Sequence, residues 1–541
     1  MLIPFLEHSH WAWILIFNFY KLIFDMKHLF TIMVIPFILT ACSEDFLDKQ
    51  PEDSITSGNF YETQDQLEQA LNGAYVMVRD TKAGGYAMAE MRSDNTHYYN
   101  NLFCDGGQEG SPLHVDSFID ISLAPNVAEM WIASYIGIAR ANVVIDNISA
   151  VDMTQQDADL IEGQAKFLRA LFYFDLVRYF GGVPLYLSQV GGIDDAYLPR
   201  STVTDVYNII EADLLDAITK LQAPTFDGSG SATKSSARML LAEVYLTQKD
   251  FSKAENELMS ITQMGHDLLD NYADVYELSN KNSLESIFEV QYMQGNQGQD
   301  TQAFTTVNSY NFLPQGDVSL ITGFAGNNGP CSTSYNMPTG DLISVYEPND
   351  TRLDASIGIA EGSTLGVYGD IKIDVLKSPV GYTTPPDRAS VAYIKKYFHS
   401  HAQQYIMDEN FPVYRYSDVL LSLAEALNEQ SKTSEALPHL NRVRTRAGLE
   451  AVTETDQTLL RDIIAHERRV EFAFEHHRWF DLLRTDKAIE VMNAHGEYIQ
   501  AAHGDQGYLI PTGYNVTQDR LLYPIPFREV QIANIKQNPG Y

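Results

Sequence analysis

Cysteine, tryptophan and basic residues are scarce in this chain of 541 residues. It has three cysteines and four tryptophans, and its 37 lysines and arginines face 71 acidic residues, which gives a formal net charge of −34. Cys42, Cys104 and Cys331 lie too far apart for metal-ligand spacing, so a zinc ribbon or a CxxC redox site is excluded. An acidic surface repels phosphate backbones, so we expect no nucleic-acid partner.

The apolar runs near the N-terminus are short. Leu29–Leu39 follows the basic start at Met26-Lys27-His28 and ends in small residues, which is typical of a signal peptide and too short to span a bilayer comfortably. Trp11–Phe24 has no basic residue before it. We therefore expect translation to begin at Met26 and residues 1–25 to be an upstream extension. A longer signal or a signal anchor that uses both runs is the alternative.

The sequence Leu39-Thr40-Ala41-Cys42 ends the second run and resembles a bacterial lipobox. In such signals the cysteine thiol receives a diacylglyceryl group and cleavage occurs just before it. A buried methylene contributes about 0.8 kcal/mol and one acyl chain holds only marginally, so a stable anchor needs two or three chains. The sequence predicts lipidation of Cys42; ordinary secretory cleavage beside an incidental cysteine is the alternative. Cys104 and Cys331 would then remain, as a disulfide or, as their surroundings favour, as two thiols.

Helical periodicity dominates the rest of the chain, with apolar residues three and four positions apart. Between Gly265 and Asn410, glycine, asparagine, glutamine, threonine and tyrosine accumulate, which indicates loops and short strands. We expect a mainly α protein with a single domain over 42–541, a helical scaffold over about 60–264 and 411–485, and a loop-rich ligand region over about 265–410. The predicted helices are Gln64–Arg79, Trp131–Ile148, Leu160–Phe180, Thr202–Leu221, Ala232–Gln248, Phe251–Thr262, Tyr416–Gln430, Ser434–Ala447 and Thr458–Thr485.

One segment of the chain is repeated. AEVYLTQKDFSKAENEL (242–258) aligns without a gap on AEALNEQSKTSEALPHL (424–440). Each copy predicts a helix, a short polar turn and a second helix, with small residues where the helices cross. A lone hairpin of this kind cannot bury its apolar face and must stack on neighbours, as in a tetratricopeptide (TPR) array. The positions identical in both copies are Ala242, Glu243, Gln248, Ser252, Ala254 and Leu258.

Charged residues recur three or four positions apart in HERRVEFAFEHHRWFDLLR (466–484). On one helix, Arg468, Glu471, Glu475, Arg478 and Asp481 would form a ladder of ion pairs along one face. Because each carboxylate then has an arginine within reach, we interpret these acids as structural rather than catalytic. The histidines of the segment point in different directions on a helix, so no metal site is expected.

Taken together, these segments resemble the SusD/RagB family of outer-membrane lipoproteins. The lipobox and SEDFLD (43–48) resemble the family N-terminus, and the resemblance extends over residues 42–541 in the family order. The further segments that carry it are EGQAKFLRALFYFDLVRYFGGVPL (162–185), RSTVTDVYNIIEADLLDAI (200–218), ATKSSARMLLAEVYL (232–246), ESIFEVQY (285–292), DLISVYEPNDTRLDASI (341–357), VYRYSDVLLSLAEALNE (413–429), LNRVRTRAGL (440–449), the 466–484 segment and LYPIPFREVQIANIKQNPGY (522–541).

This resemblance implies both a fold and a function. The fold is a TPR-type helical scaffold with a less regular ligand region, and no cofactor or catalysis is implied. Such proteins lie on the outer face of the outer membrane, bind an oligosaccharide and deliver it to a TonB-dependent transporter of the SusC type. The alternatives are the same architecture with peptide cargo, as in the RagB-like branch, a surface glycosidase, and a general TPR adaptor.

The residues that would contact a sugar are expected in two stretches. Sugars present flat C–H faces and hydroxyl groups, which suit aromatic rings and directional polar side chains. Trp131 and Trp479 read as core residues, so a stacking platform should be tyrosine or phenylalanine, unless these rings pack on the scaffold instead. If Tyr98 is such a contact, Tyr98→Ala should abolish binding with little change in stability. The candidates, taken from regions comparable to the family's ligand contacts, are Arg92, Asp94, His97, Tyr98, Tyr99, Asn100, Tyr292, Tyr310 and Phe312.

Overall fold

The computed structural model describes residues 61–98, 112–293, 312–323, 327–328, 334–365, 370–400, 408–504 and 509–541. Residues 63–541 form one compact unit. The signal segment, Cys42, Cys104 and Cys331 lie outside the described residues, so the statements made about them above stay predictions. No helix in the described part of the chain is long and apolar enough to cross a membrane.

The helices and strands are numbered here in chain order. The helices are α1 Gln64–Gly85, α2 Pro112–Asp116, α3 Pro125–Asn147, α4 Gln155–Phe180, α5 Val203–Lys220, α6 Lys234–Thr247, α7 Phe251–Ile261, α8 Ser319–Thr322, α9 Gly340–Val345, α10 Thr351–Ser356, α11 Tyr416–Glu429, α12 Thr433–Arg446, α13 Gln457–Glu471, α14 Arg478–Arg484, α15 Ala488–His503 and α16 Phe527–Ile532. The strands are β1 Thr96–His97, β2 Ser286–Val290, β3 Gly316–Asp317, β4 Asn327–Asn328, β5 Met337–Pro338, β6 Ile357–Leu365, β7 Asp370–Lys377, β8 Ala389–Ile394 and β9 Phe411–Arg415.

The scaffold is a stack of long helices. Helix α1 packs on α3, and from α3 to α7 each helix packs on the next one. Threonine side chains accept a hydrogen bond from the first turn of several of these helices, which satisfies backbone N–H groups that have no helical partner. The capping residues are Thr63, Thr154, Thr202 and Thr233. The mainly α, TPR-like fold that the sequence predicts is confirmed.

The two repeated segments form equivalent hairpins, α6–α7 and α11–α12. Their turns carry a left-handed residue at aligned positions, Lys249 with φ 61° and Ser431 with φ 62°. The hairpins stack because α7 packs on α11, and Gln430 Nε2 donates to Glu255 Oε2 across the junction at 2.7 Å. The small residues at the helix crossings are fully buried, namely Ala242, Ala254, Ala424 and Ala436.

The prediction of one continuous helix over Thr458–Thr485 is wrong, because α13 ends at Glu471 and α14 begins only at Arg478. Phe474 and His476 adopt left-handed φ values of 71° and 66°. The buried carboxylate of Glu90 accepts the N–H groups of both residues, at 3.0 Å for Phe474 and 2.9 Å for His476. These groups would otherwise bond within a continuous helix. Helix α15 was also not predicted.

The ladder of ion pairs along one helix face is therefore wrong as well. Arg468 pairs with Asp418 of α11 at 2.7 Å and with Asp481 at 3.0 Å. Glu471 and Glu475 form ion pairs with Arg415 of β9, at 2.9 and 2.8 Å respectively. The charged residues of this segment tie separate elements together in the interior instead of lining one helix.

The region between the two hairpins contains short strands, as the sequence predicts, together with two longer ones, β6 and β7. Five strands form a sheet in the order β4-β3-β7-β6-β8, in which β6 is antiparallel to both β7 and β8. The start and the end of the region are joined by a second, two-stranded sheet, because β2 pairs antiparallel with β9. This pairing brings residues near 290 beside residues near 411.

Candidate ligand-binding site

Arg92 is a structural residue in the interior. Its side chain is fully buried, and its Nη1 atom pairs with Asp120 Oδ1 at 2.6 Å. The guanidinium group lies over the rings of Phe118 and Tyr523, 4.3 and 4.0 Å from their centroids. Cation–π contacts of this kind are favourable when water is excluded. These contacts hold the C-terminal segment against the scaffold and leave no accessible surface on Arg92 for a ligand.

Asp94 and His97 are also buried. Arg478 Nε contacts Asp94 Oδ1 at 2.7 Å, and Arg469 lies on its other oxygen. Burial acts to raise the pKa of Asp94, but the two arginines outweigh it and hold that pKa well below its usual range. The His97 ring lies 4.6 Å from that of His503, and burial lowers the pKa of His97 to about 3. His97 is therefore neutral at physiological pH.

Tyr98 lies in a small apolar cluster with 2% of its surface exposed. Its ring stacks on Tyr335 at 5.3 Å between centroids, with 18° between the planes. Burial gives the side chains of Arg92, Asp94 and Tyr98 packing and ion-pair roles, so we leave them out of the ligand surface proposed below. Tyr99, Asn100 and Tyr310 lie outside the described residues, and their ligand contacts stay predictions.

Tyr292 and Phe312 are brought together by the fold. They line one depression, here called the aromatic cleft, whose enclosed volume is about 40 Å³. One water-sized group needs about 10–15 Å³ of such volume, so the cleft admits only a small part of a ligand, and the rest would lie across the mouth. The lining residues are Lys82, Ala83, Tyr86, Tyr292, Phe312, Tyr397, Glu409, Asn410, Phe411, Phe474 and His476.

Three backbone features assemble this cleft. The π-helical turn Tyr86–Glu90 at the end of α1 places the Tyr86 ring 5.4 Å from that of Phe312. Such turns insert one residue into a helix and are frequent at functional sites. The β2–β9 pairing sets Tyr292 beside Asn410, whose Oδ1 accepts its N–H at 2.9 Å. The left-handed turn before α14 brings His476 to 4.6 Å from the Phe411 ring.

The cleft has little net charge at neutral pH. Lys82 Nζ is paired with Asp175 at 2.7 Å. Burial lowers the pKa of His476 to about 3, so the ring is neutral. Burial raises the pKa of the Glu409 carboxyl group to about 8, which favours its protonated form.

A row of amide side chains, here called the amide rim, extends from Asn410 in the cleft to Gln291 and Asn282. Asn282 and Gln291 exchange two hydrogen bonds, at 2.8 and 2.9 Å. Asn410 Nδ2 donates to Gln291 Oε1 at 2.9 Å and to Glu289 Oε2 at 2.8 Å. The amide N–H groups of this row donate within the protein, as Gln291 Nε2 does to Asn282 Oδ1 and Glu289 O. Without rearrangement, the row therefore offers a sugar hydroxyl mainly the lone pairs of its amide oxygens.

Sequence reasoning missed Tyr86, Glu409, Asn410 and Phe411. Tyr86 lies in a stretch that reads as the continuation of a helix, and no local pattern signals the π-helical turn. The other three lie at the edge of the predicted loop-rich region without a motif of their own. Only the pairing of β2 with β9 brings them beside Tyr292.

The described residues contain no group of three or more histidine, cysteine, aspartate or glutamate side chains that could hold a metal ion. Two profiles of known protein families match the chain. A family profile described as "SusD family" matches residues 284–541, and a second, described as "Starch-binding associating with outer membrane", matches residues 45–246.

The chain belongs to the SusD/RagB family. It is thus a member of a family described by starch binding in association with the outer membrane. SusD-like protein P38 of Formosa agariphila is 27% identical over 95% of this chain and 98% of its own length.

Solved structures agree with this assignment. A laminarin-binding SusD-like protein is 26% identical, with a TM-score of 0.69 over 89% of this chain and all of that one. Surface glycan-binding protein A from Bacteroides thetaiotaomicron, solved with laminarihexaose, is 22% identical, with a TM-score of 0.67 over 88% of this chain and 99% of its own. This second likeness shows the SusD-like fold alone.

Proposed function

We propose that this SusD-family protein captures oligosaccharides at the cell surface and delivers them to a SusC-like TonB-dependent transporter, without catalysis. The observation that carries the binding role is the aromatic cleft with its amide rim. Aromatic rings bind the apolar faces of sugars, and amides bind their hydroxyl groups. The laminarin-binding relative supports a glycan as the ligand.

The ligand lies across the mouth of the cleft in this proposal. Tyr86 and Phe411 are the half-buried rings that a sugar can reach, while Tyr292 and Phe312 form the wall behind them. Gln291 and Asn410 then meet the hydroxyl groups at the edge of the sugar. Tyr99, Asn100 and Tyr310 remain proposed contacts.

The anchor that we propose is a lipidated Cys42. The apolar run and lipobox before it support export, and the acidic residues Glu44 and Asp45 after it resemble a signal for the outer surface. Two or three acyl chains on this residue would hold the protein at the outer leaflet. Mass spectrometry of the membrane-extracted protein tests this, since a mature N-terminus other than Cys42, or one without acyl chains, contradicts it.

An exposed apolar patch on the scaffold is the surface that we propose for the transporter. Ile132 and Ile136 lie one turn apart on α3, and Leu123 precedes that helix. Phe527, whose N–H donates to Ser122 O at 2.8 Å, opens α16 beside Leu123. Co-purification from native membranes tests this surface. Ile132→Glu should lose the transporter, whereas Ile193→Glu, which changes a still more exposed isoleucine outside the patch, should retain it.

Affinity electrophoresis tests the binding role. The protein without residues 1–42 should be retarded by at least one polymer from a panel of laminarin, soluble starch and xylan, with no release of reducing ends. Phe411→Leu keeps the apolar volume but removes the ring, so affinity should fall roughly threefold to tenfold. Tyr197→Ala, which removes an exposed ring elsewhere, is the matched control.

Each other outcome identifies a different function. Release of reducing ends would make the protein a glycosidase. Binding of peptides alone would assign it the RagB-like cargo. Equal affinity of Phe411→Leu and the unaltered protein would move the glycan site away from the aromatic cleft.

A further inference from the structure

Glu409 is a buried carboxyl group without a hydrogen-bond partner on one oxygen. It lies two residues before β9, lines the aromatic cleft and has 6% of its surface exposed. Its Oε2 atom has no partner in the described part of the chain. A buried polar atom without a partner costs stability. Glu409 is therefore positioned to bind a group that the free protein does not supply.

The backbone N–H groups of Glu409 and His399 bond to the Glu409 carboxyl group, whereas the charged side chains nearby are engaged with other groups. Lys82 pairs with Asp175, as described above. Lys281 Nζ donates to Tyr292 O at 3.0 Å and lies 3.8 Å from Asp408. The remaining titratable groups are neutral His476, His399, which contacts Tyr276 O at 2.8 Å, and the phenols of Tyr86, Tyr292 and Tyr397.

We propose that the aromatic cleft selects uncharged sugars, and that the Glu409 carboxyl group donates a hydrogen bond to a sugar hydroxyl or ring oxygen. This inference rests on the proposed function and names the class of ligand. It assigns to Glu409 the one contact inside the cleft, beneath the rings at the mouth.

Three features oppose an anionic sugar. Among the described lining residues, Lys82 is the one full positive charge, and Asp175 neutralises it. The faces of aromatic rings carry negative potential. The chain as a whole has a net charge of −34, which repels sulfated and uronic-acid polymers at a distance.

The protonation state of Glu409 fits this role. Its pKa of about 8 leaves an O–H donor at neutral pH, and ionisation above that value replaces the donor with an acceptor. Sugar hydroxyls can also donate to a carboxylate, but an ionised Glu409 would first have to be desolvated inside the cleft. Affinity for an uncharged glycan should therefore fall as the pH rises through about 8.

The first test compares polymers. Full-length protein in detergent is measured by affinity electrophoresis at pH 7 against laminarin, soluble starch and xylan, and against alginate, polygalacturonate and dextran sulfate. We expect binding to at least one member of the first set and to none of the second. Binding of an anionic polymer that Phe411→Leu weakens would overturn the inference while leaving glycan capture in place. Binding of no polymer at all would instead contradict the proposed function, and the inference with it.

The second test isolates Glu409. Glu409→Gln keeps a donor and does not titrate, so its affinity for the bound uncharged polymer at pH 7 should stay within about twofold of the unaltered protein. Between pH 7 and 9.5 the unaltered protein should lose affinity roughly threefold to tenfold, as expected for one hydrogen bond, and Glu409→Gln should not. Glu435→Gln, on the exposed face of α12, should follow the unaltered protein. Identical pH profiles for Glu409→Gln and the unaltered protein would overturn the role of Glu409, and the unaltered protein's own profile tests it even if the variant fails to fold.

Discussion

Arg415 and Glu475 form a two-pronged ion pair in the interior. Arg415 Nε lies 2.8 Å from Glu475 Oε2, and Nη2 lies 2.9 Å from Oε1. Burial acts to raise the pKa of Glu475, but Arg415 and Lys396 outweigh it and lower that pKa to about 2. The pair joins the end of the β-rich region to the turn before α14, so it fixes one wall of the aromatic cleft.

Removing one charge of this pair should destabilise the protein strongly. Glu475→Gln leaves Arg415 and Lys396 with less buried negative charge, and losses on this order are about 3–5 kcal/mol. Urea unfolding followed by circular dichroism measures the change. Asp486→Asn removes the partner of Lys249 in an exposed pair and should be nearly neutral. A small effect of Glu475→Gln would mean that the other charges in this interior compensate.

Tyr98→Ala is expected to reduce stability, in contrast to what its sequence context suggests. The ring is buried against Tyr335, so its removal should cost about 3–5 kcal/mol. Tyr98→Phe keeps the ring and should retain most of the stability. Thermal unfolding compares the two, and an unchanged melting temperature with lost glycan binding would restore Tyr98 as a ligand contact.

Asp116 should make stability depend on pH. It is fully buried, one oxygen accepts the Tyr514 hydroxyl, and burial raises the pKa of Asp116 to about 7. The unfolded chain releases this proton near pH 4, whereas the folded chain holds it until about pH 7. The contribution of protonated Asp116 to the free energy of unfolding is therefore full below pH 4 and is lost as the pH rises to about 7.

Asp116→Asn removes that titration. Between pH 4.5 and pH 7.5, the melting temperature of the unaltered protein should fall relative to that of Asp116→Asn. A constant difference across this range would contradict the raised pKa. Other buried acids, such as Glu90 with a pKa also raised to about 7, affect both proteins equally, so their contribution to the pH dependence cancels in this comparison.

Ser431→Gly should stabilise the second hairpin. Ser431 is held at φ 62°, which is unfavourable for a residue with a Cβ atom and free of strain for glycine. After the entropy cost of glycine in the unfolded chain, a gain of up to about 1 kcal/mol remains. Ser431→Ala keeps the strain and should show no gain in urea unfolding. Equal midpoints for the two variants would mean that the turn relaxes without cost.

The scaffold could be predicted from the sequence because its signals are local. Helical periodicity and paired alanines such as Ala242 and Ala424 lie within single hairpins. The break at Phe474 and His476 could not be predicted, because neither residue is a glycine and the carboxylate that stabilises the turn belongs to Glu90, far away in the chain.

The site was only partly predictable for a related reason. Tyr292 and Phe312 were chosen from a stretch whose composition indicates loops, and both line the aromatic cleft, whose role in ligand binding is a proposal. Arg92 and Asp94 are charged and adjacent to aromatics, which resembles a binding surface, yet their partners Asp120 and Arg478 lie elsewhere in the chain. Whether a charged residue is buried depends on such distant partners, and a local pattern does not contain them.

The antiparallel pairing of β2 with β9 has a consequence for how this protein can change. Almost the whole segment between the two hairpins begins at β2 and ends at β9, and these two strands are paired side by side. The segment can therefore lengthen, shorten or acquire new loops while α7 still meets α11 across an unaltered junction. Ligand preference can therefore diversify within the segment between β2 and β9, while the helical stack keeps its shape.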